Sequence, residues 1–378
     1  MTSASSQFSG RLVIDLGAIA RNWLGLDKIS NTALTAAVVK ANAYGCGMVP
    51  VAQTLARAGA QFFFVATPDE ALDLRDLLPD AHIFVLNGLY PGAGALYAEK
   101  RIMPIINSMA MLDEWLNLCT QKGEAIPAGF QFDTGMNRLG FRLQEASTVK
   151  ARMANSGYKP QVIISHLACA DTPGHEKNGT QRALFQSLLA QFEGIPASLA
   201  NSAGTLGGRE SHFQMVRPGI SLYGGRAIQG RPNPMAPVVS LEMPIIQIRE
   251  ARTGESVGYG ATQTLNRDSR LAIVAHGYAD GFLRALSSSN GRPGAHVAIR
   301  GHVVPIVGRV SMDSFAADIT DIETDLPTPG SFAEIIGPNI SIDDLADSAD
   351  TIGYEILTSL NGRFDRFYKD ETGKIFQE

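Results

Sequence analysis

The first 235 residues alternate short apolar runs with longer amphipathic stretches, and this alternation predicts strands and helices in turn. Apolar or β-branched runs fall at 36–40, 62–67, 83–87, 102–107, 129–134, 162–166, 198–202 and 214–219, each separated from the next by enough chain for a helix. One helix is expected after Asp15, a good N-cap, with Leu16, Ile19, Trp23 and Leu24 along a single face. Another should stop at Gly59, with Val51, Leu55 and Ala58 on one stripe. Eight strand–helix units in this span match the roughly 250 residues of a (β/α)8 TIM-like barrel. A doubly wound open sheet competes, but it uses about six strands, and no G-x-G-x-x-G follows the first run.

The rhythm changes after Pro232-Asn233-Pro234-Met235-Ala236-Pro237, where the prolines mark a boundary. Beyond it, Val/Ile-rich alternating runs at 238–248, 271–275, 296–299, 303–310 and 333–336 have little helix between them, which predicts a mainly β domain. Ser341-Ile342-Asp343-Asp344 has the form of a capping box and opens a late helix expected to reach Leu360 with a break at Gly353. The expected organisation is a barrel over 11–235 and a mainly β domain over 236–378. The Ser-rich lead from Met1 to Gly10 is expected to be disordered.

Composition removes several classes of function. With 45% hydrophobic and 18% charged residues, the chain is an ordinary globular one, long enough for two cores. A net charge of −5 without a basic cluster gives no footing for nucleic acid or an anionic membrane. No apolar stretch approaches the length of a membrane span, and the lead lacks the basic start and apolar centre of a signal peptide. Cys46, Cys119 and Cys169 lie far apart, with neither zinc-ligand spacing nor the even count of a disulfide framework. A soluble cytoplasmic protein with a small-molecule partner is the expectation.

Active sites of such barrels sit at the carboxyl ends of the strands, with phosphate sites after strands seven and eight. Those ends carry Lys40, Arg138, His166, Asn201-Ser202 and Arg217-Pro218-Gly219-Ile220. Taken singly, Lys40 reads as a strand-ending lysine that reaches to water, His166 as a core histidine and Arg217 as a surface arginine. Taken together they change meaning. The Ser202 hydroxyl and the N–H groups of Gly219 and Ile220 are equipment for a phosphate dianion. A lysine amine, a phosphate cradle and a histidine in one mouth suggest pyridoxal 5′-phosphate, whose aldehyde couples to lysine and whose phosphate needs a cradle.

At this point the motifs carry a resemblance. Ala37-Val38-Val39-Lys40-Ala41-Asn42-Ala43-Tyr44-Gly45, Asp133-Thr134-Gly135-Met136-Asn137-Arg138, Ser165-His166, Asn201-Ser202-Ala203-Gly204, Arg217-Pro218-Gly219-Ile220, Val257-Gly258-Tyr259-Gly260 and Gly308-Arg309-Val310-Ser311-Met312-Asp313 together resemble the alanine racemase family. The resemblance runs in order from Lys40 to Tyr354. It implies that Lys40 holds the cofactor as an internal aldimine and that Tyr44, Ser202, Gly219, Ile220 and Tyr354 bind its phosphate, with Asn201 beside them. It implies that His166 flanks the ring and bonds onward to Arg217, and that Arg138 and Met312 hold the substrate carboxylate. It further implies a homodimer in which Tyr259, Tyr278 and Met312 complete the partner's site.

Racemisation needs a base on each face of the α-carbon, and the resemblance supplies Lys40 and Tyr259. Tyr259 alone reads as an ordinary strand tyrosine, but Gly258 and Gly260 beside it permit close backbone approach to a site. Arg217 is donor-only, so beside the pyridine nitrogen it would keep that nitrogen unprotonated and disfavour transamination and decarboxylation. Two positions depart from the family pattern. Gln131 stands where many members carry a lysine carbamate, so no carbamate is expected, and its carbonyl is a candidate acceptor for Arg138. Cys46 stands where histidine is common. The alternatives are a racemase of other or broader specificity, a decarboxylase of similar architecture, and a non-catalytic cofactor carrier. The motifs serve D-alanine synthesis for the cell wall and alanine breakdown equally.

Overall fold

The structure, a computed structural model, describes residues 9–360 and 363–377. The expected disorder of the lead therefore lies outside the described residues except at Ser9 and Gly10, and Gly10 opens strand β1 (Gly10–Asp15). Helix α1 (Leu16–Ser30) follows at once, capped by the Asp15 carboxylate, which accepts from the Ala18 N–H at 2.7 Å. Leu16, Ile19 and Trp23 are buried as expected, but Leu24 is half exposed and Leu26 takes its place in the core. At 3.6 residues per turn, Leu24 falls beyond the edge of the buried stripe.

The first half of the chain then builds parallel strands β2 (Leu34–Thr35), β3 (Ala37–Val38), β4 (Phe62–Val65), β5 (His82–Val85), β6 (Ile102–Ile106), β7 (Gly129–Asp133), β8 (Val162–Ile164), β9 (Ala197–Ser198) and β10 (Met215–Val216). Strands β2 and β3 are two pieces of one barrel strand, and neighbours pair in the order β3-β4-β5-β6-β7-β8-β9, with β10 on β2. The ring closes through β10. On one side Gln214 N–H donates to Ala197 C=O and Arg217 N–H to Ala200 C=O; on the other, Ala36 N–H donates to Val216 C=O and Val38 N–H to Pro218 C=O. Both faces of these strands are covered, which is why they read as apolar runs and not as alternating ones. Phe63, Phe64, Phe84, Phe130 and Phe132 are all fully buried.

The second sheet is antiparallel except between β1 and the strand Phe364–Lys369. Strand β11 (Val239–Ala251) pairs through Leu241–Pro244 with β16 (Phe332–Ile336) and through Ile245–Ala251 with β12 (Ser269–Val274). With β13 (His296–Ile299), β14 (His302–Val307) and β15 (Phe315–Asp318) between them, six strands close a second ring. Two strands extend it past β1: β17 (Phe364–Lys369) and β18 (Ile375–Gln377).

Several of these elements differ from expectation. Strand β1 lies within the stretch assigned to the barrel, yet it pairs with β11 and β17 of the second sheet. A six-residue strand carries no mark of which sheet it joins, since either offers the same backbone partners. Strand β15, with sequence Phe-Ala-Ala-Asp, lacks the β-branched signature and was not expected. The late helix is two, α2 (Ile342–Ser348) and α3 (Gly353–Ser359), with Asp350 at positive φ in the break. The Ser341–Asp344 capping box is present in both directions. No helix among the described residues is long and apolar enough to cross a membrane.

One buried side chain makes the fold sensitive to acid. His276, just past β12, is 1% exposed, rests against Phe282 and Phe364, and has no hydrogen-bond partner for Nδ1. Burial lowers its pKa to about 3. The Asp280 carboxylate 3.9 Å away does not reverse this, because its oxygens already engage the Gly277 N–H and Arg363. In the unfolded chain the imidazole titrates near ~6.5. Below that pH only the unfolded state takes up the proton, so stability is intact at neutral pH and falls progressively down to the folded pKa. The loss for this group alone is about 2 kcal/mol at pH 5. Urea melts at pH 7 and pH 5 should show it, and His276→Phe should flatten the dependence. An unchanged slope in that variant would assign the acid sensitivity elsewhere.

Candidate active site

Lys40 ends the first barrel strand, but the glycine-containing loop expected behind it is something more specific. Ala41, Asn42, Ala43 and Tyr44 all have φ between 52° and 55°, a single turn of left-handed helix that ends at Gly45 with φ 80°. L-residues resist this hand by roughly 1–2 kcal/mol each. The turn bonds itself, Ala43 N–H to Val39 C=O at 2.8 Å and Gly45 N–H to Ala41 C=O at 2.9 Å. The Asn42 carboxamide oxygen adds a bond from the Met48 N–H at 2.7 Å. Its effect is to swing Tyr44 under the barrel mouth, where the ring stacks on Tyr223 at 4.6 Å.

Lys40, Tyr44, Arg138, His166, Asn201, Ser202, Arg217, Gly219, Ile220 and Tyr354 line one cavity of about 380 Å³ at the carboxyl ends of the barrel strands. Tyr354 reaches it from α3, so both halves of the chain build the cavity. Asn201 caps the short helix Ser202–Gly207, its side chain accepting from the Gly204 N–H at 2.9 Å. The buried Ser202 hydroxyl accepts from the N–H groups of Gly219 at 2.9 Å and Ser221 at 3.3 Å. A Cβ on Gly219 would stand 2.2 Å from the Tyr44 hydroxyl, so only glycine leaves that approach open. The Ser221 hydroxyl, fully buried behind the same loop, has no partner.

The cavity is electropositive. Lys40, Arg138 and Arg217 line it and no carboxylate does. Burial, and next the Arg138 charge, lower the Lys40 pKa, while Glu70 opposes them. His166 drops to about 3 through burial, then through Arg217, Arg138 and Lys40, so the imidazole is uncharged at neutral pH. Burial raises the Tyr44 phenol, with the Tyr354 phenol adding to it, and lifts Tyr354 to about 12, so both hydroxyls keep their protons to donate. Arg217 is 4% exposed and burial lowers it to about 10. Its Nη2 donates to Ser165 C=O at 2.7 Å and its Nη1 to the Ser198 hydroxyl.

Two hydrogen-bonding expectations meet a different arrangement, while the three residues expected to complete the partner's site lie away from this chain's own cavity. Tyr259, Tyr278 and Met312 are not in the cavity of this chain; they stand at the surface, 70%, 43% and 51% exposed. Among the described hydrogen bonds none joins His166 to Arg217, whose Nη groups are spent on strands β8 and β9 and the turns after them. Gln131 does not accept from Arg138; its Nε2 donates to Leu139 C=O at 2.9 Å, which ties down the backbone next to Arg138. Cys46 is wholly buried, where a thiol behaves as a small apolar group. Asn87 and Leu86 also line the cavity and were missed. The signal was available, since Asn87 closes the expected strand 83–87 and sits at a strand end like the others.

Closed barrel, second β ring and a cationic cavity with an amine at its mouth define a two-domain barrel enzyme. Comparison with known proteins narrows the class. Residues 14–227 match the alanine racemase N-terminal domain and residues 238–368 the alanine racemase C-terminal domain. The chain is 44% identical over 374 residues to the biosynthetic alanine racemase of Agrobacterium fabrum, covering 97% of this chain and 95% of that one. It is 46% identical over 360 residues to the alanine racemase of Rhodospirillum rubrum, covering 94% and 95%. The crystal structure of alanine racemase from Bartonella henselae with covalently bound pyridoxal phosphate superposes with a TM-score of 0.90 at 38% identity, over 95% of this chain and 99% of that one. The chain belongs to the alanine racemase family.

Proposed function

We propose that this protein interconverts L- and D-alanine with pyridoxal 5′-phosphate, using Lys40 on one face of the α-carbon and Tyr259 of the partner subunit on the other. The observation that carries this reading is the cavity itself, which an amine of lowered basicity lines together with the Tyr44, Ser202 and Tyr354 hydroxyls and the Gly219–Ile220 turn. The residues fit the cofactor. The Gly219 approach would be filled by any Cβ, and two protonated phenols with a buried serine suit a phosphate dianion. Tyr44, Ser202, Gly219, Ile220 and Tyr354 would hold the phosphate, with Asn201 fixing the helix start beside it. When bound, pyridoxal phosphate supplies an aldehyde carbon for the lysine and substrate amines, and a conjugated ring that spreads the electrons left on the α-carbon.

The chain's own groups do the rest. Lys40, freed as an amine, moves a proton at the α-carbon; its lowered basicity is what a base needs at neutral pH. Arg138 at the mouth, with Met312 of the partner subunit, holds the substrate carboxylate. His166, uncharged, would flank the ring. Arg217, a guanidinium that only donates, would leave a ring nitrogen beside it unprotonated, which favours return of the α-proton over transamination. The exposure of Tyr259, Tyr278 and Met312 supports a homodimer, since large apolar and aromatic groups are then covered by a second copy. Three free cysteines support a reducing, cytoplasmic setting.

The test is L-alanine in heavy water with purified protein and pyridoxal phosphate, following optical rotation and α-deuterium together. Loss of rotation with deuterium at the α-carbon is expected. Deuterium with rotation kept would leave one working base and overturn the role of Tyr259. Neither signal with alanine, but both with serine or another amino acid, would change the substrate and keep the chemistry.

A further inference from the structure

The direction of the Lys40 side chain is set by the backbone behind it, and that backbone is strained. Four consecutive non-glycine residues at positive φ persist only where their surroundings hold them. The two ends of this turn meet opposite charges. At its start the Ala41 N–H donates to Glu70 Oε1 at 2.6 Å. At its end the Gly45 C=O accepts from Arg366 Nη1 at 2.7 Å. In a helical turn of either hand the free N–H groups point back past the start and the free C=O groups past the end. An anion at the first and a cation at the second therefore satisfy both and oppose the turn's dipole.

The two braces come from different halves of the molecule. Arg366 stands on β17 of the second sheet. Glu70 sits in the first turn of the helix Pro68–Leu77, where it closes a capping box with Thr67. The box is not a full account of Glu70. Its Oε2 serves the N–H groups of Ala66 at 2.8 Å and Thr67 at 3.3 Å, while Oε1 is left for Ala41, the residue after the lysine. Neither Glu70 nor Arg366 lines the cavity. We infer that Glu70 and Arg366 are positioning residues: they clamp the two ends of the left-handed turn and so fix where the Lys40 amine points. This rests on the proposed role of Lys40.

Glu70→Gln, Arg366→Met, Arg366→Lys and Thr67→Ala are made in the full chain and assayed as holoenzymes, with kcat and KM referred to bound cofactor. Glutamine has one acceptor oxygen and cannot serve Ala41 and Ala66 together. Glu70→Gln and Arg366→Met should each lower kcat about 10- to 100-fold with KM nearly unchanged, the cost of a slightly misplaced reacting group. Arg366→Lys, which can still donate to Gly45 C=O, should restore most of the rate. Thr67→Ala weakens the helix start without touching the turn, so its melting temperature should fall while kcat stays. Wild-type kcat in both Glu70→Gln and Arg366→Met overturns the inference, whatever their melting temperatures. So does an equal loss in Thr67→Ala, which would make the effect one of helix stability. If Glu70→Gln fails to fold, the Arg366 pair decides alone. A wild-type enzyme without α-exchange sinks the racemase reading and this one with it. Wild-type turnover with indifferent variants sinks this one only.

Discussion

Lys40→Ala is expected to lower kcat for alanine racemisation by about 10⁴-fold, the upper range for losing a positioned acid–base group. The same change should let pyridoxal phosphate wash off during gel filtration, since the proposed tether goes with the amine. The fold should tolerate it. Lys40 is only half-buried, and its charge faces Arg138 more than any acid, so removing it takes away repulsion as well as attraction. A melting temperature close to wild type, measured alongside the rate, separates lost chemistry from lost structure. Racemisation above about one per cent of wild type would show that another group moves the proton, and the lysine would then be a tether only.

The second large effect is directional. Tyr259→Phe should reduce racemisation about 10³-fold by removing one of the two proposed bases. Deuterium exchange at the α-carbon should survive for one enantiomer and disappear for the other, because Lys40 still serves its own face. A phenylalanine there disturbs little in its own chain, since Tyr259 is 70% exposed and its hydroxyl makes no bond among those described. Stability should stay within about 0.5 kcal/mol, as for surface substitutions generally. Equal loss of exchange for both enantiomers would mean that Tyr259 helps form the dimer or the pocket and is not a base. The flanking geometry favours the first outcome. Gly258 and Gly260, at φ 78° and 74°, hold the tyrosine on a tight loop pressed against Arg309.

Much of the barrel was legible because a strand covered on both faces must be apolar along its whole length, and such runs stand out between amphipathic helices. The site was legible for a related reason. A lysine, a histidine and an arginine placed where apolar runs end cannot all be incidental, and the barrel gathers strand ends into one mouth. Asn87 obeys the same rule, closing an apolar run and lining the cavity. The second ring was legible only in part. The Phe-Ala-Ala-Asp strand carries no β-branched residue, and its strand character comes from the two neighbours that pair with it.

Local periodicity and side-chain type set most of the elements, the order of the barrel strand ends and the chemistry carried at each. Where long-range partners meet is a property of the folded chain. Folding placed β1 in the sheet of the far domain and sent the Arg217 guanidinium to Ser165 and Ser198 instead of His166. It turned Gln131 onto Leu139. It also forced Ala41 to Tyr44 into a left-handed turn that none of those residues favours alone. Local preferences are worth tenths of a kilocalorie to about one kilocalorie per residue. Contacts spanning hundreds of residues can outweigh them, and nothing in a local window records where those contacts will fall.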